Sequence, residues 1–253
     1  MEHHVRVNLL GAALALGLGA GVSLVTSTVV ASRAYRARAG DTARQTQEIT
    51  VKGSARTQVR SDLAVWRVVV SGEARELHEA FLLLEASVAR VRAFLGDRGF
   101  ASGEVALGPI DTGTFYRRDE AGRETREVAG YRLERAFTVT TGDVARVQEA
   151  AGEVTQLLRE SIQVASERPA YTYSKVAELK VEILGAASRD ARARAEEIAR
   201  NSGARVAGVR GAQMGVIQIT APNSTEVASY GIYDTTTVDK DVSVVVTLTL
   251  GLE

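Results

Sequence analysis

Apolar positions change their period along this chain, and each change marks an element. The clearest comes last: Val242, Val244, Val246, Leu248, Leu250 and Leu252 occupy every second position, which predicts a strand with one face turned to a core. Near the start, Ile49, Val51 and Val59 open a strand, and Leu63 to Glu73 is a second, rich in β-branched residues. Ser61 and Asp62 between them predict an antiparallel pair. Leu77, Phe81, Leu84, Val88, Val91 and Leu95 then recur at spacings of three and four, one face of a helix that Gly99 stops. Val105 to Tyr116 and Glu127 to Thr140 read as strands around the turn-forming Asp119-Glu120-Ala121-Gly122. In the second of these, Tyr131, Leu133, Phe137 and Val139 alternate with Arg132, Glu134, Thr138 and Thr140, giving one wet and one buried face.

A second helix starts at Asp143, a good N-cap, and carries Val144, Val147, Ala151, Val154 and Leu158 toward the core until about Glu160. Ile162 to Tyr173 is extended, with Pro169 marking an edge strand or a bulge. A long helix from Lys175 to Asn201 presents Leu179, Ile183, Ala187, Ala191 and Ile198 on one face and ends at Gly203. Val206 to Thr220 is strand-like, and Pro222 to Asp239 is a polar loop carrying Tyr230 and Tyr233. Strands grouped in pairs with helices between them predict an α+β fold of paired antiparallel strands and interspersed helices.

Before this region the pattern is of another kind. Val7 to Ala31 contains no charged residue, and at about 1.5 Å per residue a helix over it spans the roughly 30 Å hydrocarbon layer. A cleaved signal peptide is the rival reading, with Val29-Val30-Ala31 as its cleavage site, but such apolar regions usually run only about 7 to 15 residues. The length favours one retained N-terminal transmembrane helix. Ala13, Gly17 and Gly21, four residues apart, form the small-residue stripe that lets membrane helices pack closely. The expected organisation is an anchor or signal segment over 1–31, a polar tether over 32–47 and one domain over 48–253. Arg33, Arg36, Arg38 and Arg44 follow the apolar run while only Arg6 and two histidines precede it, a bias that on its own keeps the domain in the cytoplasm. Long domains translocate against such a bias, so the count does not decide orientation.

Composition narrows the chemistry. The 253 residues include no cysteine, which excludes disulfides, thiolate catalysis and Cys-ligated metals. With 31 basic and 31 acidic side chains the net charge is zero, against the basic excess of nucleic-acid-binding domains. His78 is the one histidine beyond the N-terminal region, and its place beside the inward-pointing Leu77 predicts an exposed first-turn residue. His3 and His4 read as a solvated tail. No phosphate-binding loop or HExxH motif is present, and Gly17, Gly19 and Gly21 imitate a dinucleotide fingerprint only inside the apolar run. No catalytic residue, cofactor or metal ligand is therefore expected.

Several phrases together resemble the SIMPL-domain proteins, bacterial envelope proteins related to periplasmic immunogenic antigens. Ile49-Thr50-Val51-Lys52-Gly53-Ser54-Ala55 is similar to the opening I-x-V-x-G-x-G strand, Ser61-Asp62-Leu63-Ala64 to a P-D-x-A turn, and Gly130-Tyr131-Arg132 to a G-Y-x strand entry. Ala187 to Gly203, with Asp190-Ala191-Arg192-Ala193-Arg194-Ala195-Glu196, resembles the A-x-x-D-A-R-x-K-A-E helix. The resemblance covers Glu48 to Glu253; Ala55 stands where the family has its second glycine and Ser61 where it has proline. It implies an exported domain facing the periplasm or cell exterior from the inner membrane, assembled into homo-oligomeric rings or barrels, associated with oxidative-stress tolerance and without catalytic residues.

Three function classes compete on this basis: a non-enzymatic, membrane-tethered assembly protein; a periplasmic binding module that takes a peptide or lipid ligand at the Pro222 to Asp239 loop; and a hydrolase built on a carboxylate pair. Nothing selects two of the 31 acidic residues, so the last is weakest. For the first, the partners are the membrane and further copies of the chain, with no nucleic acid. Candidate contacts are Tyr230 and Tyr233, amphipathic rings suited to an interface, and Arg192, Arg194 and Glu196, charges on an alanine-rich helix whose default role is weak surface pairing.

Overall fold

The computed structural model describes residues 47–253, so the expected membrane helix with Ala13, Gly17 and Gly21 lies outside the described residues. Its elements in order are β1 (Glu48–Arg60), β2 (Leu63–Ala74), α1 (Leu77–Asp97), β3 (Val105–Arg118), β4 (Glu124–Thr141), α2 (Val144–Glu153), β5 (Gln163–Ser166), β6 (Ala170–Thr172), α3 (Val176–Asn201), β7 (Val206–Met214), β8 (Gln218–Thr220) and β9 (Asp239–Leu252). This is the α+β arrangement of antiparallel strands and helices that the periodicity predicts. One sheet has the order β3-β4-β2-β5 with β6 also on β2; the other has β1-β9-β7 with β8 on β9. No helix among the described residues is long and apolar enough to cross a membrane.

The described chain divides into two compact units. The larger holds Lys52–Ala191 and Gln213–Thr247. Its core gathers Trp66, Val68 and Val70 of β2, Phe137 and Val139 of β4, Leu84, Val91 and Leu95 of α1, and Val147 and Val154 beyond β4. Trp66 is fully buried, and its indole N–H donates to Ser166 Oγ at 3.0 Å, so the ring's one polar atom is satisfied. The smaller unit holds 47–51, Arg192–Ala212 and Leu248–Glu253. There the Leu252 N–H donates to the Gln47 carbonyl at 2.8 Å and Thr50 Oγ1 meets Thr249 Oγ1 at 3.1 Å, an antiparallel register of β1 on β9.

That register corrects the expected β1–β2 hairpin. The two strands belong to different sheets, and Ser61-Asp62 is a crossover in which the Ser61 N–H donates to Val238 O and the Asp62 N–H to Thr172 O. Short connections favour hairpins only where both strands find their partners in each other, and here the partner of β1 is the C-terminal strand. The face of α1 is also corrected. Leu84, Val88, Val91 and Leu95 are buried, but Leu77 and Phe81 are 47% and 39% exposed, while Ala80 and Phe94 join the core. The cause is Gly72 of β2: a Cβ there would lie 2.3 Å from Ala80 O and 2.5 Å from Leu84 N, so the helix rests backbone-down on that glycine and rolls Phe81 outward. His78 is exposed as expected, although not because Leu77 points inward.

Further along, Asp143 caps α2 by accepting the Arg146 N–H at 3.0 Å. On α2 Ala150 is buried instead of Ala151, and after Glu153 the chain tightens into a 3-10 segment, Val154–Glu160, whose three-residue step from the buried Val154 reaches Leu157 and leaves Leu158 55% exposed. The stretch expected to be extended from Ile162 to Tyr173 is instead broken around Pro169 into β5 and β6, both of which pair with β2. On α3 the buried stripe runs Leu179, Ile183, Ala187, Ala191, Ala195 and Ala199, and Ile198 is half exposed instead of inward, because the alanines keep a strict four-residue step to the helix end. Gly99 and Gly203 stop their helices with φ of 77° and 75°. The strand expected over Val206 to Thr220 is split by Gly215 into β7 and β8.

Candidate interaction surface

The loop between β8 and β9 is polar in sequence but firmly held. Gln218 of β8 is buried and reaches across it: its Nε2 donates to Ala228 O at 2.8 Å, and its Oε1 accepts the N–H groups of Ile232 at 3.0 Å and Ala228 at 3.4 Å. Backbone bonds from Ile219 N to Ile232 O and from Asp234 N to Ile219 O, both 2.8 Å, add a second line of stitches. Asp234 folds the last turn by accepting the Thr236 N–H at 2.9 Å, the Thr236 hydroxyl at 2.7 Å and the Thr237 hydroxyl.

Beneath this turn lies Lys240, with no exposed surface. Its ammonium donates to the carbonyls of Asp234 and Thr237, each at 2.7 Å, and to Asp234 Oδ2 at 3.3 Å. Three acceptors match the three donors of an ammonium, which is the condition for burying one. Burial alone works to raise the pKa of Asp234, but hydrogen bonds from Thr237 and Thr236 and the adjacent ammonium outweigh it, and the carboxyl is held well below its ordinary range. Next along β9, the buried Asp241 pairs with Arg56 of β1 and accepts the Asn223 N–H at 2.8 Å, pinning the start of the loop; chiefly through Arg56, its pKa is also lowered.

A loop fixed at this many points still shows large apolar side chains to solvent. Tyr230 is 88% and Val227 80% exposed, with Tyr233, Met214, Val216 and Val245 exposed beside them. Gly231, at φ 89°, permits the tight return between the tyrosines, since a Cβ there would meet Val216 Cγ1 at 2.8 Å. Met214, Val216, Ile217, Tyr230, Tyr233 and Lys180 border an open groove of about 480 Å³. Among the described residues no group of three or more His, Asp or Glu is placed to hold a metal ion.

Of the candidate contacts, Tyr230 and Tyr233 come together on this surface of the larger unit. Arg192 and Glu196 belong to the smaller unit, where Nε donates to Oε1 at 2.9 Å on the exposed side of α3, the surface pairing expected of them. Arg194 is on the same helix. Tyr171, by contrast, is buried in the core, and burial raises its pKa. Val227, Met214 and Val216 were not anticipated; their one signal is an isolated apolar residue within a polar stretch.

The helix phrase and the opening strand phrase meet physically. A Cβ on Gly53 would lie 2.2 Å from Ala191 N and 2.3 Å from Ala187 O, so α3 crosses β1 at that glycine, and Asp190 Oδ2 accepts the Ser54 N–H at 2.8 Å. A profile of the SIMPL family, described as a protein of unknown function (DUF541), matches residues 49–250. The chain belongs to the SIMPL family. Gly53 and Asp190 thus join two phrases of a SIMPL domain at one helix–strand crossing. No curated protein matches the chain. The regulatory subunit of aspartate kinase from Thermus thermophilus, ligand-free form, aligns at 16% identity over 77% of this chain and 87% of that one, with a TM-score of 0.21, too low to support an argument.

Proposed function

We propose that this SIMPL protein is a non-catalytic envelope protein, tethered to the inner membrane by residues 7–31 with its domain facing the periplasm or cell exterior, and that it works by self-assembly into a ring or cage that supports the envelope under stress. One observation carries the reading: loop 221–238 is rigidly stitched yet holds Val227 and Tyr230 almost wholly in solvent. A preorganised loop has already lost its conformational entropy, so covering its aromatic side chain gains binding energy at little further cost. Light scattering on the full chain in mild detergent should show a defined multimer. Combining Val227→Glu with Tyr230→Glu should shrink it while leaving the melting temperature within a few degrees, and a monomeric parent would end the proposal. Deleting the loop is not a clean test, because Lys240 and Asp241 would lose their partners. Protease added to spheroplasts should remove the domain; protection of the full chain would reverse the orientation.

The groove beside Tyr230 favours a second reading. An apolar trough with Lys180 on its border suits an amphiphile with one anionic end, such as a fatty acid or a peptide C-terminus. Saturable displacement of a fluorescent fatty acid, lost in Lys180→Glu, would support it.

A further inference from the structure

The β3–β4 hairpin is longer than its own fold uses. From Asp111 to Ala129 no residue is buried, and the first buried position on the way back is Gly130. A two-stranded ribbon alone is marginally stable in water. The outer edge of β3 is also open, since its sole neighbour in the sheet order is β4. Natural edges are commonly blunted by proline, charge or bulges. Here the one extra residue before Ile110 lies on β3, beside Pro109, whereas past Phe115 the extra residues lie on β4 (Phe115 faces Gly130, Tyr116 faces Val128 and Arg118 faces Glu124), so β3 has no bulge of its own from Ile110 to Arg118. No proline or bulge guards that stretch, and its charges are Asp111, Arg117 and Arg118.

What fits it is decided by the sequence of the edge itself. Two antiparallel copies related by a two-fold axis must place one residue opposite its own copy, because an axis between residues would make equivalent pairs alternate in hydrogen-bond type. With the axis at Phe115, Asp111 faces Asp119. With the axis at Gly113, Asp111 faces Phe115 and Pro109 faces Arg117. With the axis at Thr114, Asp111 faces Arg117, Thr112 faces Tyr116, Gly113 faces Phe115 and Thr114 faces Thr114. Only the last sets opposite charges together, covers the edge glycine with an aromatic ring and stacks threonine on threonine, all favourable cross-strand pairs. Arg117 already bridges Glu127 at 3.2 Å with both side chains more than half exposed, a bond weak enough to share.

We infer that the β3 edge is a self-pairing edge: two copies of this chain join antiparallel about a two-fold axis at Thr114, so that their ribbons form one continuous sheet. This rests on the reading that the chain self-associates, and it supplies what a closed assembly requires. An isologous contact alone stops at a dimer, and a second, different contact, the loop 221–238 surface, is needed to extend dimers into a ring or cage.

The chain has no cysteine, so a single one reports cleanly. Directly opposed residues in an antiparallel pair have Cα atoms about 4.5–5.5 Å apart, within disulfide range. Thr114→Cys in the full chain in mild detergent, under mild oxidation, should form a covalent dimer at least tenfold faster than Thr125→Cys, a site on the other strand of the ribbon that is also exposed. Equal rates would mean chance collision and overturn the inference. Slow cross-linking at 114 in a parent that is multimeric would remove this edge and leave self-association standing, whereas a monomeric parent would remove both. Asp111→Arg should weaken dimerisation at least tenfold, and adding Arg117→Asp should restore it; failure of the swap to restore would overturn the register.

Discussion

Gly53→Ala should destabilise the domain by about 4 kcal/mol or prevent its folding, the largest effect expected of a single added methyl group among the described glycines. The new Cβ would stand 2.2 Å from Ala191 N, 2.3 Å from Ala187 O and 2.6 Å from Ala191 Cβ. Two of these atoms are helix backbone, which cannot turn aside as a flexible side chain does. Helix α3 must lift from β1, and lifting it breaks the Ser54–Asp190 hydrogen bond and opens the buried alanine stripe. Gly152→Ala is the internal control: nothing lies within 4 Å of its Cβ and it sits in α2, so alanine there should be neutral or stabilise by up to about 1 kcal/mol. Urea melts followed by Trp66, the chain's one tryptophan and fully buried, would compare the two. Equal stability of the two variants would show that the helix does not rest on Gly53.

The same glycine shows why some of the fold was legible and some was not. Features set by neighbours in sequence were readable: the alternation in β9, the Asp143 cap, the stops at Gly99 and Gly203, and the turn at Asp119 to Gly122. Features set by distant backbone were not. Periodicity assigns α1 a stripe but not the angle at which it rests, and that angle is fixed by Gly72 on another element. The pairing of β1 with β9 joins the first and last described strands, and no local pattern distinguishes it from a hairpin with β2. The candidate surface was half legible: Tyr230 and Tyr233 stand out in a polar stretch, but the hydrogen bonds that hold their loop come from Gln218 and Lys240 bonding to backbone carbonyls, for which side-chain sequence carries no signal.

Lys240→Ala should cost about 3–5 kcal/mol, since it removes one partner of a buried pair and leaves the carbonyls of Asp234 and Thr237 without a donor. The loss should appear first in the loop, as new proteolytic cleavage between 221 and 238 at temperatures where the rest of the domain is intact. Acid acts on the same turn through Asp234. Its folded pKa lies below the unfolded value of about 3.9. Above that value both states are ionised and the stabilisation is complete; as pH falls through it the unfolded chain takes up the proton first, and the contribution fades toward the depressed folded value. Asp234→Asn should therefore be less stable than the parent at pH 7, and the gap should narrow at pH 3. The parent loses stability there for other reasons as well, because Asp241, Glu104 and Asp143 also have lowered pKa values. The narrowing gap, and not the parent's own decline, isolates Asp234. A gap that stays constant would mean that the carboxylate is not what holds the turn, and the exposed tyrosines would then owe their placement to Gln218, Lys240 and the backbone bonds between Ile219, Ile232 and Asp234.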